Sequence, residues 1–336
     1  MTNVSLAFPL ADDDMSAALA RELHAVEQSL AGATAHADPI VNEAANHLAS
    51  AGGKRLRPVL TLLTAHLGAG INDDVRKAAV VVELTHLASL YHDDVMDSAP
   101  MRRGAPSAHE VWGNSVAILT GDLLFARASR LVADLGPEAV RIQAATFERL
   151  CLGQLHETLG PLDGVDPVTH YIDVLADKTA SLLATSALLG ARYAQASQEV
   201  QDTVAHYGEL VGVAFQLADD VIDVMSDGNV TGKTPGTDLR EQVPTMPVLL
   251  LRKLVASDRA TASDRELLAM IDSDLSSDEA LSATVARLRE HQVIEDTRQR
   301  ATHYASQAVA VLAALPQGTV RKALEDFAQA LVDRTA

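Results

Sequence analysis

Six aspartates in two sets of three are the side chains of this 336-residue chain best suited to chemistry. Asp93-Asp94-Val95-Met96-Asp97 and Asp219-Asp220-Val221-Ile222-Asp223 repeat one pattern, with acids at the first, second and fifth positions. On a helix, residues one and four apart lie on neighbouring parts of one face, where like charges repel. A cation between them is therefore expected. Carboxylates without His or Cys inside the motif suit a hard ion such as Mg²⁺, which keeps few protein ligands and takes the rest from water and phosphates. Two facing clusters of this kind imply a pit that holds a diphosphate through several Mg²⁺ ions. The other acidic triplet, Asp12-Asp13-Asp14 near the N-terminus, reads as a solvated helix face.

Each motif closes an apolar run, LTHLASLYH before the first and GVAFQLA before the second. Both runs lack Pro, are rich in Leu and Ala and read as buried helices. Hydrophobic residues make up 48% of the chain but aromatics only 3%, so the core is chiefly Ala, Leu and Val, a helix-favouring composition. Periodicity and breakers predict helices at about 13–33, 39–50, 54–69, 73–97, 115–135, 137–159, 168–191 and 197–225. A polar loop at 226–247, long enough to act as a lid, precedes three or four further helices over 248–335. No Pro-, Ser- or Gly-rich linker divides the chain. The expectation is one all-α domain over 13–336 behind a loose arm at 1–12.

A net charge of −18 argues against a nucleic-acid partner. The one cysteine, Cys151, excludes an internal disulfide, fits a reducing cytoplasm and is expected to be a buried packing thiol. The N-terminus has neither a basic start nor a long apolar stretch, and no run of 18 apolar residues exists to span a membrane.

An acidic chain that binds an anion must gather its cations locally. Gly52-Gly53-Lys54-Arg55-Leu56-Arg57-Pro58 opens a helix, whose N-terminus suits phosphate. Lys54 and Arg57 are expected one turn apart on one face, with Arg55 pointing away as plain surface. Arg102-Arg103-Gly104 follows Asp97, Lys178-Thr179 sits in mid-helix, and Gly232-Lys233 lies in the loop after the second motif. His86, seven residues before Asp93, falls on its helical face and could donate to a second phosphate group. Glu83 and His86 form the ExxH spacing of di-iron bundles, but no second copy exists, so that reading is rejected.

Taken together and in order, GGKRLRP, LASLYHDDVMD, MRRGAPS, Lys178-Thr179, AFQLADDVID and TGKTPGTDLRE resemble the trans-type polyprenyl diphosphate synthases, most of all actinobacterial long-chain members. The resemblance covers about residues 50 to 247. It implies a single large all-α bundle around a central cavity, a homodimer, and condensation of an allylic diphosphate with isopentenyl diphosphate. It implies that Mg²⁺, three ions in all, bridges the allylic diphosphate from Asp93, Asp97 and Asp219, with Asp94, Asp220 and Asp223 ligating directly or through water. Arg102, Lys178, Thr179, Gln216 and Lys233 would hold the allylic diphosphate; Lys54, Arg57, His86 and Arg103 would hold isopentenyl diphosphate. Thr179 and Gln216 would also steady the allyl cation.

Two positions depart from the family pattern, Val243 standing where many members carry a phosphate-binding lysine and Ser107 where threonine is common. In this family the product grows beside the first aspartate helix. Ala88 and Ser89, one turn before Asp93, are small where short-chain members place an aromatic floor. A product of seven to ten isoprene units follows, with a quinone side chain as its use; Tyr91, on another face, is expected to pack. A shorter-chain synthase making geranylgeranyl or farnesyl diphosphate is the alternative. A class I terpene cyclase would lack the second motif and the Lys54, Arg57 and Arg103 set, and a non-catalytic partner subunit would lack the aspartates.

Overall fold

A computed structural model of the protein describes residues 12–226 and 235–333. Residues 1–11 of the arm expected at 1–12, and Lys233, lie outside the described residues. The helices in order are α1 (Asp13–Thr34), α2 (Pro39–Ser50), α3 (Leu56–Ala65), α4 (Asp73–Met96), α5 (Ala108–Trp112), α6 (Asn114–Ala133), α7 (Pro137–Leu159), α8 (Pro167–Leu175) and α9 (Ser181–Tyr193). They continue with α10 (Gln198–Met225), α11 (Thr237–Arg240), α12 (Met246–Val255), α13 (Ala262–Ile271), α14 (Asp278–Arg289), α15 (Gln292–Val311) and α16 (Thr319–Val332). Among the described residues the only strands are β1 (Met101–Arg102) and β2 (Ala105–Pro106), a hairpin turned by Arg103 and Gly104 at φ of 54° and 79°. Two successive positive φ values are what a tight two-residue hairpin turn requires.

The all-α expectation is met, and the long helices fall within a few residues of the predicted spans. The short α5 and α11 were not expected, and five helices rather than three or four follow residue 245. The described chain divides into two compact units. One comprises the described residues up to Arg149, Ser181–Gly208 and Val311–Phe327; the other comprises Leu150–Ala180, Glu209–Ala310 and the residues from Ala328.

In the first unit α4 packs on α3, α6, α9 and α1. Its Val75, Ala79, Val82, Leu84 and Leu87 are fully buried or nearly so. Close approach depends on small residues. A Cβ on Gly190 of α9 would lie 2.0 Å from the Thr61 carbonyl oxygen of α3. Another on Gly121 of α6 would lie 2.4 Å from His92 Nε2 and 3.0 Å from the Ala88 oxygen of α4. In the second unit Val213, Ala214, Leu217 and Ala218 of α10 join Val168 and Tyr171 of α8, Met246 and Leu249 of α12 and Ala301 and Ala305 of α15 in one apolar cluster.

Two expectations are corrected here. Cys151 is exposed, because it lies on a face of α7 that also leaves Leu152 and Leu155 open to solvent. Arg55 is buried, not plain surface. Its left-handed backbone (φ 49°) turns the side chain inward, where Nη1 donates to Glu83 Oε1 at 2.8 Å, Nη2 to the Ala49 oxygen at 2.9 Å, and Nε to Glu27. Glu83 is 2% exposed and depends on this partner. Truncating one member of a buried ion pair strands the other charge, so Arg55→Ala is expected to cost about 3–5 kcal/mol of stability. A urea titration checks this, and a loss below about 1 kcal/mol, typical of a surface pair, would refute it.

Candidate active site

The first motif forms the last turn of α4 and the second the last turns of α10. Neither helix carries a basic residue in its final turn. A helix C-terminus bears partial negative charge, so three carboxylates there oppose the dipole and one another. Asp93, Asp219 and Asp223 are half-buried and Asp97 is exposed. Such an arrangement favours a cation at each helix end.

The middle aspartates differ from their neighbours. Asp94 is fully buried; Arg102 Nε donates to its Oδ1 at 2.6 Å, and burial pushes its carboxyl above the usual range, opposed by Arg102. Asp220 is 5% exposed; the Tyr171 hydroxyl donates to both its oxygens at 3.0 Å, and the Met246 amide donates to Oδ2 at 3.1 Å. Burial pushes the Asp220 carboxyl well above the usual range. The two differ in what they leave open: both Asp220 oxygens accept from Tyr171 and Met246, whereas Asp94 Oδ2 is buried without a hydrogen-bond partner. Asp223 has a mixed position, since its Oδ2 accepts from the Asp238 amide at 3.4 Å at the start of α11.

In the first unit the structure brings together most of the cations assigned to isopentenyl diphosphate. Arg103 Nη1 donates to the Leu48 oxygen at 3.0 Å and to the Gly52 oxygen. Gly53 makes room for it, because a Cβ there would lie 2.8 Å from the Arg103 guanidinium carbon. Arg57 has a buried Nε with no hydrogen-bond partner, and burial lowers its pKa to about 10. Arg103 also lowers it, whereas Glu83 and Asp93 oppose the shift. Burial first, then Arg57, Arg103 and Arg102, holds His86 well below its ordinary pKa, so its ring is neutral at pH 7. Lys54 is exposed and precedes α3, which starts at Leu56, so the expectation that it shares a helical face with Arg57 is corrected.

In the second unit Lys178 and Thr179 lie in a π-helical turn, Ala176–Ala180, between α8 and α9. Such turns interrupt α-helices where function displaces the backbone. Gly153 of α7 admits this turn, because a Cβ there would lie 2.5 Å from the Lys178 nitrogen. Lys178 Nζ donates to Glu157 Oε2 at 2.5 Å, while Thr179 is buried. Gln216 is half-buried on α10, one turn before Asp219. Sequence reasoning missed Gln154 and Glu157, the first with a buried Oε1 lacking a hydrogen-bond partner. The available signal was Gly153-Gln154-x-x-Glu157, a small residue and two polar ones at helical spacing in an apolar stretch. Val243 spends its backbone on a turn, its amide donating to the Asp238 oxygen at 2.8 Å.

Ala88 has no exposed surface, because α4 and α6 meet closely at Gly121. The expectation that it lines an open tunnel is corrected, whereas Ser89 beside it is half-buried, with its hydroxyl donating to the His86 oxygen at 2.9 Å. Tyr91 packs as expected, its buried hydroxyl donating to the Ala44 oxygen at 2.5 Å. Among the described residues no three His, Cys, Asp or Glu side chains gather into a complete metal cage.

A family model described as polyprenyl synthetase matches residues 38–288, three-quarters of the chain. The chain belongs to the polyprenyl synthetase family. The resemblance seen in the motifs is thereby borne out. This polyprenyl synthetase is 42% identical to the nonaprenyl diphosphate synthase of Mycobacterium tuberculosis, over 97% of this chain and 95% of that protein. It is 34% identical to heptaprenyl diphosphate synthase component 2 of Geobacillus stearothermophilus, over 92% of this chain and 95% of that protein. The crystal structure of geranylgeranyl pyrophosphate synthase from Corynebacterium glutamicum, complexed with calcium and isoprenyl diphosphate, superposes with a TM-score of 0.85 at 39% identity, covering 97% of this chain and 99% of that one. The fold is therefore the all-α isoprenoid synthase fold.

Proposed function

We propose that this polyprenyl synthetase is a Mg²⁺-dependent enzyme that condenses an allylic diphosphate with successive isopentenyl diphosphates into a long all-trans polyprenyl diphosphate, of seven to ten isoprene units. The observation that carries the reading is the pair of aspartate motifs, each set on a helix C-terminus without a basic residue in its last turn. The donors fit Mg²⁺: they are hard oxygens, few in number, and Asp93, Asp97, Asp219 and Asp223 keep accessible surface. These four would hold it, three ions in all, on the allylic diphosphate. When bound, Mg²⁺ supplies positive charge that stabilises the departing diphosphate. Residues 13–336 act as one catalytic domain.

The chain's own residues do the rest. Arg102, Lys178 and Lys233 hold the allylic diphosphate as its charge develops. Thr179 and Gln216 turn oxygen dipoles toward the allyl cation. Lys54, Arg57 and Arg103 hold isopentenyl diphosphate, and neutral His86 donates a hydrogen bond to it. Arg102 reaches this task through the buried Asp94 that orients it. Apolar walls keep water from the cation. The alkene attacks, and the departed diphosphate takes the proton that is lost. Val243 in place of a family lysine weakens the grip on the allylic substrate without changing the reaction.

The long product is supported by the likeness to the nonaprenyl synthase and by small Ser89. The Corynebacterium geranylgeranyl synthase is nearly as similar in sequence and favours the shorter-chain alternative. A cytoplasmic homodimer and a quinone side chain as the end use complete the proposal. Val111, Ile118 and Leu119, exposed on α5 and α6, support self-association. No helix among the described residues is long and apolar enough to cross a membrane.

Purified protein incubated with Mg²⁺, farnesyl diphosphate and excess labelled isopentenyl diphosphate tests the reading, with products dephosphorylated and sized by mass spectrometry. A ladder ending at seven or more units is expected. A stop at four units would keep the reaction and overturn the length; no condensation with any allylic primer would overturn the reaction for the isolated chain.

A further inference from the structure

Two contacts hold the α8–π segment against α10 in the second unit, and their spacing does not match. At one end the Tyr171 hydroxyl donates to both oxygens of Asp220 at 3.0 Å. At the other, Ala180 lies where a Cβ on Gly212 would meet it, 2.3 Å from the Ala180 Cα. These contacts are nine residues apart on the α8 side, Tyr171 to Ala180, and eight apart on α10, Gly212 to Asp220. The α8 side thus carries one residue more than α10 between the two contacts. A π turn is the local structure that inserts one residue into a helix, and Ala176–Ala180 is that turn. Lys178 and Thr179 lie inside it.

The anchor at Asp220 is polar, directional and buried. Its carboxylate also accepts from the Met246 amide, one of the first N–H groups of α12, which have no partner within the helix. One side chain thus ties α10 to α8 and to α12. At about 100° per residue, Asp219 and Asp223 stand about 40° apart around the α10 axis, with Asp220 about 60–100° to one side. Holding Asp220 therefore fixes the rotation of α10 that presents the other two.

We infer that Tyr171 is a positioning residue: its hydrogen bond to Asp220 clamps the π turn in place and sets Lys178 and Thr179 in register with Asp219 and Asp223 for one metal-bound diphosphate. The inference rests on the proposed reading of these residues as a Mg²⁺–diphosphate site. Removing the hydroxyl leaves the apolar packing of the ring but frees the extra residue to migrate along the helix.

The test is calorimetric titration of Mg²⁺ with inorganic diphosphate into wild type and Tyr171→Phe, alongside unliganded melting curves and steady-state kinetics. Diphosphate affinity is expected to fall about tenfold, the scale of one hydrogen bond to a charged group. The KM for the allylic substrate should rise with it, while the KM for isopentenyl diphosphate stays unchanged. A lower Tm with unchanged diphosphate affinity would make Tyr171 purely structural and overturn the inference, as would no change in either. If Tyr171→Phe does not fold, Asp220→Ala provides the same readout, because it removes the acceptor of the Tyr171 hydroxyl outright; unaltered affinity there refutes the clamp. Wild type that binds Mg²⁺ and diphosphate yet condenses no substrate would defeat the proposed activity alone, leaving the clamp to be judged by the binding data.

Discussion

Asp219→Ala is expected to lower kcat/KM by about 10³-fold, the upper range for losing one preorganised charge-stabilising group, while changing folding stability by less than about 1 kcal/mol. The asymmetry follows from position. Asp219 is half-buried at the C-terminal end of α10, four residues from Asp223, with no basic residue in that last turn. In the absence of a cation its charge opposes both the helix dipole and Asp223. On the proposed reading the same charge would help hold Mg²⁺, which would supply positive charge to the leaving diphosphate. Asp220→Ala should show the opposite balance in stability, because the Tyr171 hydroxyl and the Met246 amide lose their acceptor in the interior; that costs about 1–3 kcal/mol per stranded group. Kinetics at saturating Mg²⁺ and urea titrations of both variants check the contrast. A less than tenfold kinetic loss in Asp219→Ala would remove it from the metal-holding set.

Ser89→Phe is expected to shorten the product from seven or more isoprene units to about four or five, with condensation retained. Ser89 keeps accessible surface one turn before Asp93, and a phenyl ring there would reach several ångströms beyond the small hydroxymethyl group. Ala88→Phe separates a tunnel from a packed interface. Ala88 is fully buried where α4 and α6 approach at Gly121. A ring at that position overpacks the core and should cost about 1–3 kcal/mol. Mass spectrometry of the products together with melting curves distinguishes the two substitutions. A full-length product from Ser89→Phe would place the length-determining wall elsewhere.

Much of this was legible without coordinates. Helix positions follow from apolar runs punctuated by Gly and Pro, because burial of one face and loss of helical hydrogen bonds are local effects that a short window records. The two aspartate motifs and their flanking cations were legible for a similar reason: i, i+1, i+4 spacing is enough to put carboxylates together on a helix. The sequence also determined the family, since six short motifs in order carry the resemblance that the comparisons bear out.

What the sequence left open depends on partners distant along the chain. Arg55 and Arg57 are neighbours in one basic segment, yet one is paired with Glu83 and Glu27 while the other has an unpartnered buried nitrogen. The left-handed backbone at Arg55 makes that division, and no periodicity marks it. Asp220 looks like its neighbours in the motif, yet Tyr171, 49 positions away, and Met246, 26 positions away, donate to its oxygens. Ala88 reads as an open wall until Gly121 brings a helix against it. Side-chain type and spacing determined which groups could meet a cation or a phosphate. Only the tertiary structure decided which of them remain available, because hydrogen-bond partners and close helix contacts are made between segments that the chain order does not bring together.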